Sequence, residues 1–140
     1  EQRVDLARLH PVRALRFGSE PGTAVQIVGV EQDERTHLTL RLHHRAGGEE
    51  VRVGLSVFGG HNARNAAAAL AVGLELGCPV AAMLEALAQV RPVGDRGRVL
   101  GFGPHLLIAD CYNANPGSMA AALRSLAGLR GRRTGPLVAV

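Results

Sequence analysis

Lysine is absent from this chain, and all sixteen basic residues among its 140 are arginine. Within these residues that excludes a G-x-x-x-x-G-K-[ST] phosphate loop and a Schiff-base lysine. Tryptophan is absent too, and one tyrosine with three phenylalanines is too few for a base-stacking platform. The arginines are scattered, so a net charge of +4 argues only weakly for nucleic acid. Cys78 and Cys111 share neither zinc-type nor C-x-x-C spacing and read as thiols of a reducing compartment. No apolar run reaches the ~18 residues of a membrane span. The most apolar stretch, residues 66–76, is interrupted by Gly73 and Glu75. Residues 1–20 carry charges throughout and show no signal-peptide pattern.

What is present is an ordinary globular composition, 46% hydrophobic, with length for one domain or pieces of two. Both ends read as cut. The chain opens in charged sequence without methionine and closes on the apolar run Pro136-Leu137-Val138-Ala139-Val140, which reads as a strand of a continuing parallel sheet. A segment of a larger protein is expected.

Alternation marks the first half. Val12 to Phe17 has strand character, and Gly18-Ser19-Glu20-Pro21-Gly22 is a turn. Val25, Ile27, Val28 and Val30 then suggest a strand, followed by the polar turn Gln32-Asp33-Glu34-Arg35. Leu38, Leu40 and Leu42 alternate with polar residues, as do Val51, Val53 and Leu55 after a turn at Ala46-Gly47-Gly48-Glu49. Consecutive strands with short turns predict an antiparallel meander. From Asn65 to Leu76 an alanine-rich helix is predicted, apolar nearly all round and therefore buried. Gly77 stops it, and Pro79 starts a second helix running to about Gln89.

Arg91-Pro92-Val93-Gly94-Asp95 breaks the pattern and is the candidate linker. Residues 99–102 and 106–109 read as short strands around Gly103-Pro104. After them Asp110 sits at a strand's carboxyl end, facing a predicted helix over residues 119–129. Asn115 can cap that helix, and Pro116 suits its first turn. In open α/β sheets such a crevice binds ligands, and the helix amino terminus favours an anion.

Three groups of residues are candidates for chemistry. Asn62 and Asn65 stand at the mouth of the alanine-rich helix, three apart and so on one face. One asparagine is explained by capping; a second amide can also read a base edge, because it both donates and accepts. His61, beside them, is either a hydrogen-bonded structural residue or part of the same mouth. Asp110 is either a turn former or a partner for ribose hydroxyls. Tyr112 can fill the loop or lie on a ligand, while Asn113 and Asn115 suit turn and cap. Arg96 and Arg98 follow the linker, as solvated hinge residues or as planar forks for phosphate or ribose.

Taken together, these pieces resemble the Mur ligases. Gly59-Gly60-His61-Asn62-Ala63-Arg64-Asn65-Ala66-Ala67-Ala68-Ala69 resembles the family's G-x-H-N-x-x-N-x-x-A-A motif in the central ATP-binding domain. Arg96 resembles the arginine at the entry to the third domain. Asp110-Cys111-Tyr112-Asn113-Ala114-Asn115-Pro116-Gly117-Ser118-Met119 resembles D-x-Y-N-A-N-P-x-S-M, the form typical of members that add D-alanyl-D-alanine. Sister enzymes tend to carry a histidine in that loop.

The resemblance implies an α/β fold. Residues 1–93 would end a central ATP-binding domain of antiparallel strands plus helices, and residues 94–140 would begin a Rossmann-like C-terminal domain. It implies a cytoplasmic, monomeric ATP-dependent amide ligase of peptidoglycan synthesis using ATP and Mg2+, with no nucleic-acid partner. Its substrates would be UDP-MurNAc-tripeptide and D-alanyl-D-alanine, joined through an acyl phosphate. Asn62 and Asn65 would meet the adenine side, Asp110 the ribose, and Arg96 the ribose or phosphates, with Arg98 the alternative in the Arg-Gly-Arg sequence. Tyr112, Asn113 and Asn115 would line the nucleotide.

The family's phosphate-loop and carbamylated lysines have no counterpart here, and its metal-binding glutamate falls outside the segment, so no ligase activity is expected of the segment alone. Two other readings stay open. One is a different Mur- or folylpolyglutamate-type amino acid ligase. The other is a non-catalytic nucleotide-binding module whose Asp110 and asparagines only cap helices.

Overall fold

A computed structural model describes residues 14–44, 47–130, 132 and 134–140. The predicted strand at Val12 and turn at Ala46 fall partly outside these residues.

Period-two alternation builds the first sheet. β1 (Phe17–Gly18), β2 (Val25–Gln32), β3 (Thr36–His44) and β4 (Gly47–Leu55) lie in sequence order. The last three form the expected antiparallel meander. Leu40 stands opposite Ile27 on one side and Val51 on the other; Leu42 opposes Val25, and Leu38 opposes Val53. All seven are buried, each such side chain contributing roughly 1.5–3 kcal/mol. Two details differ from the sequence reading. Gly47, Gly48 and Glu49 pair within β4 instead of forming the turn. β1 is only two residues long and runs parallel to β2, too short for any period to reveal it.

The β2–β3 turn is held by Asp33, whose carboxylate accepts the Arg35 N–H at 2.7 Å and meets His37 Nε2 at 3.1 Å. That backbone hydrogen bond, with His37 adding, keeps the Asp33 carboxyl below its ordinary value of 3.8.

α1 (Asn62–Glu75) lies on this sheet through Ala63, Ala66, Ala67, Leu70, Ala71 and Gly73, all buried. Alanine and glycine let the helix backbone approach the strands closely. For α1 the expectation of a helix buried nearly all round is met on the side that faces the sheet, while Val72 is 56% exposed among the described residues. Among the described residues the sheet covers only one of its faces. It also starts three residues before the predicted Asn65, because the Gly59 and Gly60 carbonyls accept the N–H groups of Asn62 and Ala63. α2 (Val80–Gln89) begins after Pro79 as expected and leans Val80, Met83, Leu84 and Leu87 on the same core. Gly73 makes room for the Met83 sulfur, which a Cβ there would overlap.

The second unit is small. β5 (Arg96–Phe102) and β6 (His105–Asp110) form an antiparallel hairpin, and α3 (Pro116–Ala127) follows. α3 starts at Pro116 behind the Asn115 cap as expected, and ends at Ala127, two residues before the predicted Leu129. Residues 136–140 form no strand, contrary to expectation; apolar sequence alone does not make one without a ladder partner. No helix among the described residues is long and apolar enough to cross a membrane.

Leu40, fully buried, sets the first prediction. Leu40→Ala in the intact protein should cost about 2–5 kcal/mol by urea unfolding, whereas Val30→Ala at a partly exposed site should cost well under half of that. A second concerns pH. The depressed Asp33 carboxyl contributes stability at pH above 3.8 that is lost as pH falls through its lowered value. Asp33→Asn should therefore flatten the acid limb of the stability–pH curve, and an unchanged limb would remove Asp33 from the acid response.

Candidate functional site

The two sequence clusters, at residues 61–65 and 110–115, meet in one open cleft of about 590 Å³, within the ordinary range for small-molecule sites. One wall is the mouth of α1, with His61, Asn62 and Asn65. The other is the end of β6, the loop after it and the start of α3, with Asp110, Tyr112, Asn113 and Asn115. Arg96, at the start of β5, lies between them.

On the first wall a chain of amides fixes the asparagines. Asn62 Nδ2 donates to the Phe58 carbonyl at 3.0 Å, and Asn65 Nδ2 donates to Asn62 Oδ1 at 3.2 Å. Phe58 is buried and cannot turn away, so Asn62 is oriented by backbone and Asn65 by Asn62. Asn62 is therefore not the cap of α1; that position is His61, which makes no side-chain cap. The Gly59-Gly60 turn explains its own glycines: Gly59 has φ of +112°, and a Cβ there would overlap the His61 ring.

On the second wall, local capping uses some of the candidates. Asn115 Oδ1 accepts the Ser118 N–H at 2.9 Å, and Ser118 Oγ accepts the Asn115 N–H at 3.1 Å, a complete capping box. Ser118 is thus committed to the helix, and Asn115 keeps its Nδ2 and one Oδ1 lone pair for a ligand. Asn113 Oδ1 accepts the Ala114 N–H at 2.8 Å. Asp110 is exposed; its backbone pairs with Arg96 in the hairpin, and its carboxylate meets no side chain among the described residues. Tyr112 is 66% exposed, with the Arg96 guanidinium over its ring at 3.8 Å, a cation–π contact.

A bulge decides between the two arginines. The β5–β6 register shifts between Arg96 and Arg98, so that Arg96 pairs with Asp110 and Arg98 with Ala109. The residue between them, Gly97, has φ of +69° and lies so close to Phe58 that a Cβ would sit 2.8 Å from its carbonyl oxygen. Arg96 is thereby turned into the cleft. Arg98 is outside it, ion-paired to Asp95 at 2.8 Å.

Sequence reasoning missed the cleft's apolar surface. Val57, Val90, Pro92, Val93 and Met119 line it, and the predicted linker supplies two of them, Pro92 and Val93, with no polar motif to announce it. It also missed Gln32 and Ser125, which join α3 to the first unit. Among the described residues no group of three His, Cys, Asp or Glu side chains could hold a metal ion.

Gly97→Ala should cost more stability than Gly94→Ala. Both replace a glycine at positive φ, but only Gly97 meets backbone. The left-handed conformation alone costs ~1–2 kcal/mol, and the Phe58 contact should add to it at Gly97. Urea unfolding checks this, and equal losses would show that the close approach carries no strain.

No protein-family profile matches the chain. A UDP-N-acetylmuramoyl-tripeptide–D-alanyl-D-alanine ligase of Mycobacterium tuberculosis is 37% identical over 124 residues, covering 87% of this chain and 24% of that protein. A UDP-N-acetylmuramate–L-alanine ligase of Burkholderia mallei is 37% identical over 127 residues, 85% of this chain and 26% of that protein. Among solved structures, MurF from Acinetobacter baumannii superposes with a TM-score of 0.68 at 34% identity, over 80% of this chain and 24% of that one. MurF from Thermotoga maritima in complex with ADP gives 0.65 at 26% identity, over 81% and 25%. The chain thus spans about a quarter of the length of the relatives it matches.

Proposed function

The chain belongs to the Mur ligase family, and from that premise we propose that it is the nucleotide-clamping part of an ATP-dependent amide ligase joining D-alanyl-D-alanine to UDP-MurNAc-tripeptide. On this reading residues 1–93 close a central ATP-binding domain and residues 94–140 open a C-terminal one. The observation that carries it is the single cleft into which Asn62 and Asn65 project from one wall and Asp110 and Tyr112 from the other. The ADP held by the Thermotoga maritima neighbour supports a nucleotide as the occupant.

The roles follow from donor and acceptor chemistry. Asn65, held by Asn62, offers an acceptor and a second N–H to the edge of adenine. The Asp110 carboxylate accepts from ribose hydroxyls. Arg96, stacked on Tyr112, reaches ribose or phosphate with a planar cation. Its place in the cleft supports Arg96 over Arg98 for this task. His61, Asn113 and Asn115 line the nucleotide without a further role.

In the reaction the terminal phosphate of ATP passes to the tripeptide carboxylate, giving an acyl phosphate and ADP. The amine of D-alanyl-D-alanine attacks the acyl carbon, and the tetrahedral intermediate collapses to the amide with loss of phosphate. The chain's own residues bind and orient. With no lysine in it, cations for the transferred phosphate beyond arginine come from elsewhere in the protein, and the isolated segment is inactive. Among the described residues no three His, Cys, Asp or Glu side chains cluster as metal ligands, so Mg2+ would be held by the ATP phosphates and by residues elsewhere in the protein. The Asn113-Ala114-Asn115 sequence, in the form typical of members that add D-alanyl-D-alanine, supports that substrate for the whole protein over those of sister ligases. The enzyme would act in the cytoplasm as a monomer.

Asp110→Ala in the intact protein should lower kcat/KM for ATP by the equivalent of ~1–3 kcal/mol, the loss of one charged hydrogen bond. Arg96→Ala should weaken ATP use likewise, and Arg98→Ala should leave it near wild type. Steady-state kinetics at varied ATP checks all three; an Asp110 variant with unaltered ATP kinetics would overturn the ribose contact.

A further inference from the structure

α3 carries a hydroxyl where it meets the first unit. Ser125 is 7% exposed. Its Oγ accepts the Gly60 N–H at 3.3 Å, and its carbonyl accepts from Gln32 Nε2 at 3.2 Å. Gln32 ends β2, and Gly60 belongs to the turn that leads into α1, so the partners lie 93 and 65 residues away in sequence. α3 does not need these bonds to form. It has its own capping box at Asn115, and the Gly128 N–H returns to the Arg124 carbonyl. What the bonds do is tie the helix that starts at one wall of the cleft to the turn that starts the other.

We infer that Ser125 and Gln32 are positioning residues. They hold α3 against the Gly59-Gly60 turn and so set the gap across which Asn62 and Asn65 face Asp110 and Tyr112. The inference rests on the nucleotide reading of the cleft. A ligand that touches both walls binds only while they stand at the right separation, so its apparent affinity falls with the fraction of molecules in that arrangement. Neither side chain lines the cleft, and neither need touch the nucleotide. Ser125 is suited because a side chain one carbon long fits the seam and still presents an acceptor. Gln32 reaches from the strand end to the helix carbonyl, which the intrahelical ladder leaves with a free lone pair.

The test uses the intact protein with ADP as the probe. Ser125→Ala removes one bond and Gln32→Met the other, the second at a half-buried strand end that tolerates change. Each should weaken ADP binding by calorimetry about 3- to 10-fold, the range for one neutral hydrogen bond. The wall separation is read independently with spin labels on Cys78 and Cys111, both exposed and one on each unit, after any other cysteine is replaced by serine. In both variants the distance distribution should broaden, and ADP should narrow it again. Lowered melting temperatures with unchanged ADP affinity and an unchanged distribution would overturn the inference, leaving only a packing role. Asp110→Ala separates the two claims. If it weakens ADP while both variants bind normally, the positioning role falls and the nucleotide reading stands. If it has no effect but the variants broaden the distribution, the nucleotide reading falls and the tie between walls stands.

Discussion

The peptide carbonyl of Phe58 is the point on which the cleft depends. Its residue is buried, so the oxygen is fixed relative to the first sheet. On one side it accepts Asn62 Nδ2 and thereby orients Asn65. On the other it lies against Gly97, the only residue type that can bring backbone so near at positive φ. The β5 bulge at that glycine then decides which arginine enters the cleft. One backbone group thus sets the amide wall and, through a close approach, the arginine that faces it.

The same residue types do different work on the two walls. Asn115 spends its oxygen on the Ser118 N–H, and the cost of leaving that helix donor unmet explains why. Asn62 spends none of its groups on a cap; its amide links backbone to Asn65. Capping therefore accounts for Asn115 but not for the Asn62–Asn65 pair, which backbone orients at the cleft. Arg96 and Arg98 divide in the same way, one held on an aromatic face above the cleft and the other neutralised by Asp95.

The apolar part of the cleft comes from segments with no motif. Val90, Pro92 and Val93 follow α2 and cross between the two units. A short, proline-stiffened connection is suited to this, because it supplies surface and limits how far the units can separate. Specificity among amide ligases is a different matter. Relatives joining L-alanine match the chain about as well as those joining D-alanyl-D-alanine. That is the expected result if this part of the protein handles the nucleotide they share.

Period and punctuation in the sequence determined the meander, both early helices, the hairpin and the capped third helix. These elements follow from local rules: alternate residues share a sheet face, proline and glycine stop ladders, and an asparagine before proline caps a helix. Both motifs, and so the family resemblance, were also legible there. Tertiary structure alone decided that Arg96 faces the cleft and that Ser125 joins the two walls. Each of these depends on a partner distant in sequence. Register, burial and hydrogen bonding between units are properties of pairs, and no single segment encodes the position of the other.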